Sequence, residues 1–293
     1  IACCRGVKAV ENIAPSYGLA GKSDDDYGPR YPVKRRVDIP FAKTSFGGNQ
    51  FVVIAGPCAV ENLDDLLITA RAAKNAGAKM LRGGAYKPRT SPYTFSGLGE
   101  SGLEILSEVR DTVEIGVVTE AMEPATVGKV AEVADMIQIG SRNMQNFPLL
   151  KEAGRQNKPV LLKRGMSATL EEWLAAAEYI LAEGNPNVVL CERGIRTFSH
   201  HSRHTLDIGV IPALRERSDL PVIVDPSHST GSSAMVPSMS MASIAAGADG
   251  LIVEIHPEPS RALVDGFQTL PLDVFDAMMV ELNRIAQAIG KVL

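Results

Sequence analysis

From residue 50 to the C-terminus, short apolar or β-branched runs alternate with longer stretches of helical spacing. The runs are 51–54, 78–82, 115–119, 136–139, 160–163, 188–191, 222–224 and 250–253, eight in all. Helical stretches follow them at 63–76, 103–111, 124–134, 148–156, 170–183, 204–216, 238–246 and 272–292. Each run is nearly continuous in apolar residues, which fits parallel strands covered on both faces. Eight such units predict an α/β chain folded as a closed (β/α)8 TIM barrel. A doubly wound open sheet is the alternative. It usually has fewer strands, and the chain carries no Gly-rich dinucleotide fingerprint. At 293 residues the chain is long enough for one barrel, which commonly takes about 250.

In such a barrel the chemistry sits at the C-terminal ends of the strands. Polar residues follow every run here. They are Cys58 and Glu61, then Arg82, Lys87 and Arg89, then Glu120, then Arg142, then Lys163 and Arg164. Glu192, Arg193 and Arg196 come next, then Asp225 and His228, and finally Glu254, His256 and Asp265. The opposite ends carry mainly loop residues such as Gly116, Lys158-Pro159 and Leu220-Pro221. The second strand end, Leu81 to Pro92, is the densest. Gly83 and Gly84 allow the backbone to approach a ligand, and Pro88 and Pro92 stiffen the loop. Alone it reads equally as a solvated surface loop or as an anion site. Among eight polar strand ends it reads as part of an anion site.

Acidic residues outnumber basic ones, 34 to 30, so these cations form a local site rather than a nucleic-acid surface. No apolar run reaches membrane-spanning length, and no signal-peptide pattern is present. The cysteines, Cys3, Cys4, Cys58 and Cys191, are not spaced as a disulfide framework, which points to the cytoplasm. The chain begins at Ile1 rather than Met. Residues 1–45 are assigned to an N-terminal extension and 46–293 to the barrel. Within the extension, Ser23 to Asp26 and Gly28-Pro29 read as a linker. Val37 to Phe41 and Gln50 to Ile54, around a Gly-Gly-Asn turn, read as a hairpin closing the barrel bottom.

The strand-end residues divide into two groups. Cys58, His228, Glu254 and Asp265 offer a thiolate, an imidazole and two carboxylates. That mix suits a divalent transition metal (Mn, Fe, Co or Zn) better than Mg or Ca. Taken singly, His228 reads more simply as a loop or capping residue. Arg82, Lys87, Arg89, Arg142, Lys163 and Arg193 form the second group. With a dication and three anionic ligands the net charge is roughly +5, which two phosphorylated substrates, one of them also a carboxylate, would offset. One or two of these cations are expected to pair with Glu120, Glu192 or Asp225 instead. Crowding of cations would also lower a lysine pKa, which leaves a Schiff base on Lys87 or Lys163 as an alternative.

The motifs carry a resemblance. Gly56 to Glu61, Arg82 to Ser91, Gln138 to Asn143, Leu162 to Gly165, Glu192 to Arg196, Asp225 to His228 and Val253 to Pro257 together resemble 3-deoxy-D-arabino-heptulosonate 7-phosphate (DAHP) synthase, type I beta subgroup. The resemblance covers about residue 45 to the C-terminus. It implies a metal-dependent condensation of phosphoenolpyruvate with erythrose 4-phosphate and water, giving DAHP and phosphate, at the entry of the shikimate pathway. It also implies that Cys58, His228, Glu254 and Asp265 hold the metal. Arg82, Lys87, Ser141, Arg142, Lys163 and Arg193 would hold phosphoenolpyruvate, with Glu120 near the attacking water. Pro88, Arg89, Thr90 and Ser91 would hold erythrose 4-phosphate. Lys87 would lie between the two pockets and deliver a proton. A homotetramer is implied as well.

A related family of different chemistry that the resemblance also brings in, KDO 8-phosphate synthase, usually carries Asn after the Lys where this chain has Pro88. A catalytically silent barrel is the reading from another class; a lost ligand would support it. The chain departs from many relatives at Ser232-Ser233, where a pair of arginines is common, and at Phe267, where Pro is common. Residues 1–45 are too short for the regulatory domains that some relatives carry, so no feedback inhibition through such a domain is expected.

Overall fold

The structure, a computed structural model, describes residues 16–21, 36–89 and 91–293. β1 (Val37–Ile39) and β2 (Thr44–Phe46) form an antiparallel hairpin. Eight parallel strands follow: β3 (Val52–Gly56), β4 (Met80–Arg82), β5 (Gly116–Ala121), β6 (Met136–Ile139), β7 (Val160–Lys163), β8 (Val188–Glu192), β9 (Val222–Val224) and β10 (Gly250–Glu254). Each pairs with its sequence neighbour, and β10 returns to β3, closing the barrel. The helices are α1 (Leu63–Asn75), α2 (Glu100–Val113), α3 (Pro124–Val133), α4 (Phe147–Gly154), α5 (Leu170–Ala182), α6 (Val210–Arg217), α7 (Pro226–Thr230), α8 (Val236–Ala245) and α9 (Leu272–Ala288). The expected (β/α)8 architecture is the observed one.

Local signals start the helices. The Asn62 side chain caps α1 by accepting from the Asp65 N–H at 2.8 Å. Thr169 and Glu172 form a capping box at the start of α5. Along the strands, alternate residues separate two cores. Val52, Ile54, Met80, Val118, Met136, Leu161, Val189, Ile223 and Ile252 fill the barrel. Val53, Leu81, Val117, Ile137, Leu162, Leu190, Val224 and Val253 pack outward with the helices. Both strand faces are therefore buried, as the near-continuous apolar runs require.

The hairpin closes this interior. Val37, Ile39 and Phe46 are fully buried and join the cluster inside the barrel. Its second arm differs from the expected one. Residues 50–54 do not pair with β1; Val52–Gly56 enters the barrel between β4 and β10, and Thr44–Phe46 pairs with β1 instead. The chain reverses early, through a turn in which the Lys43 N–H bonds the Pro40 carbonyl and Lys43 has φ 49°. Gly47 and Gly48, with φ 93° and 67°, then redirect it. The linker expected at residues 23–29 lies outside the described residues.

Two further differences shape the site. The sixth helix was expected from residue 204 but begins at Val210, because 204–209 are held as a loop. Thr205 and Ile195 exchange two backbone hydrogen bonds of 2.9 Å, and the His204 N–H bonds the Ser229 carbonyl. The short helix α7 was not expected at all. Asp225 caps it by accepting from the His228 N–H at 2.9 Å, Pro226 opens it, and Gly231 ends it at φ 64°.

Phe46→Ala should leave a void against the barrel floor and cost about 3–4 kcal/mol of unfolding free energy. Urea unfolding followed by circular dichroism measures this. A loss under about 1 kcal/mol would mean that the hairpin is not part of the core.

Candidate active site at the C-terminal face

Strand register assembles the site. The β10–β3 register sets Glu254 opposite Gly56, two residues before Cys58. A Cβ at Gly56 would overlap the Arg82 carbonyl oxygen, so only glycine lets the ends of β3 and β4 meet. β5 and β6 set Glu120 opposite Gln138, and β8 and β9 set Glu192 opposite Val224, one residue before Arg193 and Asp225.

Cys58, His228, Glu254 and Asp265, from three different strand ends, each offer a donor atom, and these atoms all lie within 4.8 Å of one another. His228 Nε2 lies 3.2 Å from Glu254 Oε1 and 3.8 Å from Asp265 Oδ2; Cys58 Sγ lies 3.7 Å from Asp265 Oδ2. The other ring nitrogen of His228, Nδ1, bonds Asp225 Oδ2 at 2.7 Å. Such a bond orients a metal-ligating imidazole and turns Nε2 toward the donors. Burial, with the Glu254 charge adding to it, pushes the free Cys58 thiol up to about 12 against the opposing fields of Lys87 and Arg82. A thiol in that state is a poor nucleophile; a cation would be needed to draw out its thiolate. The donor set therefore fits a divalent ion.

Beside these donors opens a cavity of about 420 Å³. Its lining includes eight cationic side chains against two carboxylates, Glu120 and Asp265. Of the six cations singled out in the sequence, two form buried ion pairs. Arg82 Nη1 lies 3.0 Å from Glu254 Oε1, and Lys163 Nζ contacts Asp225 Oδ2. Lys87 Nζ and Arg82 Nη2 both donate to the Cys58 carbonyl, at 3.0 and 3.3 Å. Arg193 Nη1 and Glu120 Oε1 are buried without a hydrogen-bond partner among the described residues. A Cβ at Gly140 would overlap that same Glu120 oxygen, while Gln138 Nε2 holds the other one at 3.2 Å. Arg142 reaches the Pro88 carbonyl at 3.4 Å, and Arg89 bonds Thr94 Oγ1 at 2.9 Å. Ser91 and Ser141 also line the cavity; Thr90 lies outside the described residues.

Some expectations change. The space a Cβ at Gly84 would take is filled by the Lys87 stem and the Cys58 carbonyl, so packing within the site already requires glycine there. Lys87 is not softened by cation crowding. Burial lowers its pKa, but the Cys58 sulfur once ionised and the carboxylates Glu120 and Glu254 outweigh burial and Arg82 and leave it raised. A protonated Lys87 does not suit a Schiff base. Glu61, Glu192 and Arg164 hold loops together: Glu61 accepts from the Leu263 N–H at 2.7 Å, and Arg164 bridges Glu192 and Asp207 at 2.9 Å each. Ser232 and Ser233 do not line the cavity. Arg203 and His204 do, and they were missed. They lie eleven and twelve residues past the end of β8, and nothing in Ser199 to His204 marks them by spacing.

Known proteins give the same direction. The family model of the DAHP synthetase I family matches residues 34–289. The chain belongs to this family. A phospho-2-dehydro-3-deoxyheptonate aldolase of Thermotoga maritima is 53% identical over 97% of this chain and 82% of its own. A crystal structure of that enzyme aligns with TM-score 0.85 at 51% identity, over 88% of this chain and 75% of the other. A 2-dehydro-3-deoxyphosphooctonate aldolase of Syntrophotalea carbinolica is 34% identical over 84% and 95% of the two chains.

Asp225 sits between Lys163 and His228. Burial alone would raise its carboxyl pKa, but His228 and Lys163 hold it well below the ordinary range. Asp225→Asn should cost about 3–5 kcal/mol at neutral pH by leaving Lys163 buried and unpaired. A depressed carboxyl contributes fully above its unfolded pKa, near 4, and loses that contribution as pH falls through its folded value. The gap between the two proteins, from denaturant titrations, should thus be widest at neutral pH and close in acid. A gap independent of pH would contradict the ion pair. His204 is pushed down to about 4, by burial and then by Arg193. Its ring should stay neutral at pH 6 in an NMR titration; a midpoint near 6.5 would show it solvated.

Proposed function

We propose that this chain is a 3-deoxy-7-phosphoheptulonate synthase. It condenses phosphoenolpyruvate with erythrose 4-phosphate and water to give DAHP and inorganic phosphate, the first step of the shikimate pathway. One observation carries the reading: a four-donor cluster of transition-metal type and a strongly cationic cavity share one wall, formed by Arg82, Lys87, His228 and Asp265. The identity to the Thermotoga heptonate enzyme, 53%, against 34% for the octonate enzyme, favours the four-carbon sugar. No donor is lost, which disfavours a silent barrel.

Cys58, His228, Glu254 and Asp265 would hold a divalent transition metal. When bound, it would supply Lewis-acid polarisation of the aldehyde oxygen. The chain's own side chains do the rest. Arg82, Lys87, Lys163, Arg193 and Arg142, with Ser141, hold the carboxylate and phosphate of phosphoenolpyruvate. The buried, unpartnered Nη1 of Arg193 suits a phosphate oxygen. Pro88, Arg89, Thr90 and Ser91 hold erythrose 4-phosphate, so the two reacting carbons meet across Lys87. The raised pKa of Lys87 keeps a proton on Nζ, ready for the developing hydroxyl. Glu120 Oε1, the free acceptor in the wall, suits the water that adds to the second carbon. The proposal includes a cytoplasmic homotetramer, on resemblance alone. Among the described residues no helix is long and apolar enough to cross a membrane.

Phosphate release from phosphoenolpyruvate, measured with erythrose 4-phosphate and with arabinose 5-phosphate, tests the reading. Erythrose 4-phosphate should be used at least tenfold better. Chelator should abolish the activity, Mn(II) should restore it, and Cys58→Ala should lower it at least 100-fold. Preference for arabinose 5-phosphate would change the substrate. Full activity in chelator, with borohydride trapping a lysine adduct, would replace the mechanism.

A further inference from the structure

Behind the donor cluster lies a contact that the function above leaves unused. Gln268 is fully buried at the end of a short turn that starts from Asp265. Its Nε2 donates to Glu254 Oε2 at 2.6 Å and lies 3.5 Å from Asp265 Oδ2. Its Oε1 accepts from Arg203 Nη1 at 3.0 Å. Arg203 stands on the separate loop between β8 and α6, where its N–H bonds the Thr230 carbonyl. The same Nη1 lies 3.4 Å from Asp265 Oδ2. One amide thus touches both carboxylates of the cluster, and one guanidinium holds the far end of that amide.

The geometry has consequences for the carboxylates. With Oε2 taken by Gln268, Glu254 is left with Oε1 on the side of His228 Nε2, 3.2 Å away. Asp265 sits in the left-handed region at φ 54°, a conformation that costs energy unless neighbours fix it. Its carbonyl accepts from Thr269 Oγ1 and the Gln268 N–H, at 3.0 and 3.2 Å. A glutamine amide has two ends of similar shape and opposite hydrogen-bonding character. Turned over, Gln268 would set its oxygen against two carboxylates. Arg203 selects against that orientation, because a guanidinium only donates.

We propose that Gln268 and Arg203 are positioning residues for the metal site: Gln268 aims Glu254 and Asp265 at the shared donor point, and Arg203 fixes the one amide orientation that does so. The proposal rests on the metal reading given above. Ligand-orienting partners of this kind are worth about 10–100-fold in metal affinity.

The test uses the full chain stripped of metal, with Mn(II) affinity by calorimetry and the visible spectrum of the Co(II) form. Gln268→Leu, which roughly keeps the volume, should bind Mn(II) about 10–100-fold more weakly and shift the Co(II) bands. Arg203→Met should weaken Mn(II) binding where Gln268 is present. Combined with Gln268→Leu it should weaken binding less than it does alone, or strengthen it, because there only a positive charge and the direct contact to Asp265 are removed. That non-additivity is the signature of one residue acting through the other. Wild-type affinity and an unmoved Co(II) spectrum in Gln268→Leu would overturn the proposal, as would additive effects. If Gln268→Leu does not fold, Arg203→Met alone decides, since unchanged affinity and spectrum there would be equally fatal. A wild-type chain that takes up neither ion would instead sink the metal reading, and this proposal with it.

Discussion

The Asp225 carboxylate is the interaction on which the two halves of the site depend. It is fully buried, contacts Lys163, bonds His228 Nδ1 at 2.7 Å and caps the helix that carries His228. One charge therefore sets the direction of an imidazole, the position of a lysine and the start of α7. Ser227, two residues on, accepts the Glu254 N–H on its Oγ at 3.0 Å. His228, Glu254 and Lys163, from three strand ends, are thereby tied to residues 225–227. Arg82, Lys163, Glu254 and Asp225 survive burial because each is set against a partner of opposite sign; unpaired, each would cost several kcal/mol.

The same rule explains the shape of the cavity. Arg82 and Lys163 are satisfied internally, by Glu254 and Asp225. Arg193 and Glu120 keep a buried polar atom without a partner among the described residues. In a folded protein such atoms are rare and point to a ligand. Both line the cavity, and glycine at 140 leaves the Glu120 oxygen the room a Cβ would take. The site is thus prepared for anions before any arrives, which is the arrangement that electrostatic catalysis needs.

Much of this was legible in the chain. Near-continuous apolar runs fixed parallel pairing, and polar residues after each run marked the catalytic face. Cys58, His228, Glu254 and Asp265 were readable as possible donors because their types match one class of metal. The hairpin was readable as an element, but its second arm was misplaced: Thr44 to Phe46 is too short and polar to stand out beside the stronger run at 52–56. Arg203, His204 and Gln268 left no pattern at all. Their placement depends on how two loops from different strands cross, and no local propensity encodes that.

The sequence by itself determined the period of the chain, hence the barrel, and the residue types at each strand end, hence the class of chemistry. Those follow from local physics: burial on both strand faces, helix caps, and side-chain donors. Only the tertiary structure decided which charges neutralise each other and which stay open for a ligand. It set Arg82 on Glu254 and Lys163 on Asp225, left Arg193 and Glu120 open, and placed Gln268 behind two carboxylates. The reason is barrel closure. Distances between residues up to two hundred positions apart are fixed by strand register, and pairing between charges depends on those distances alone.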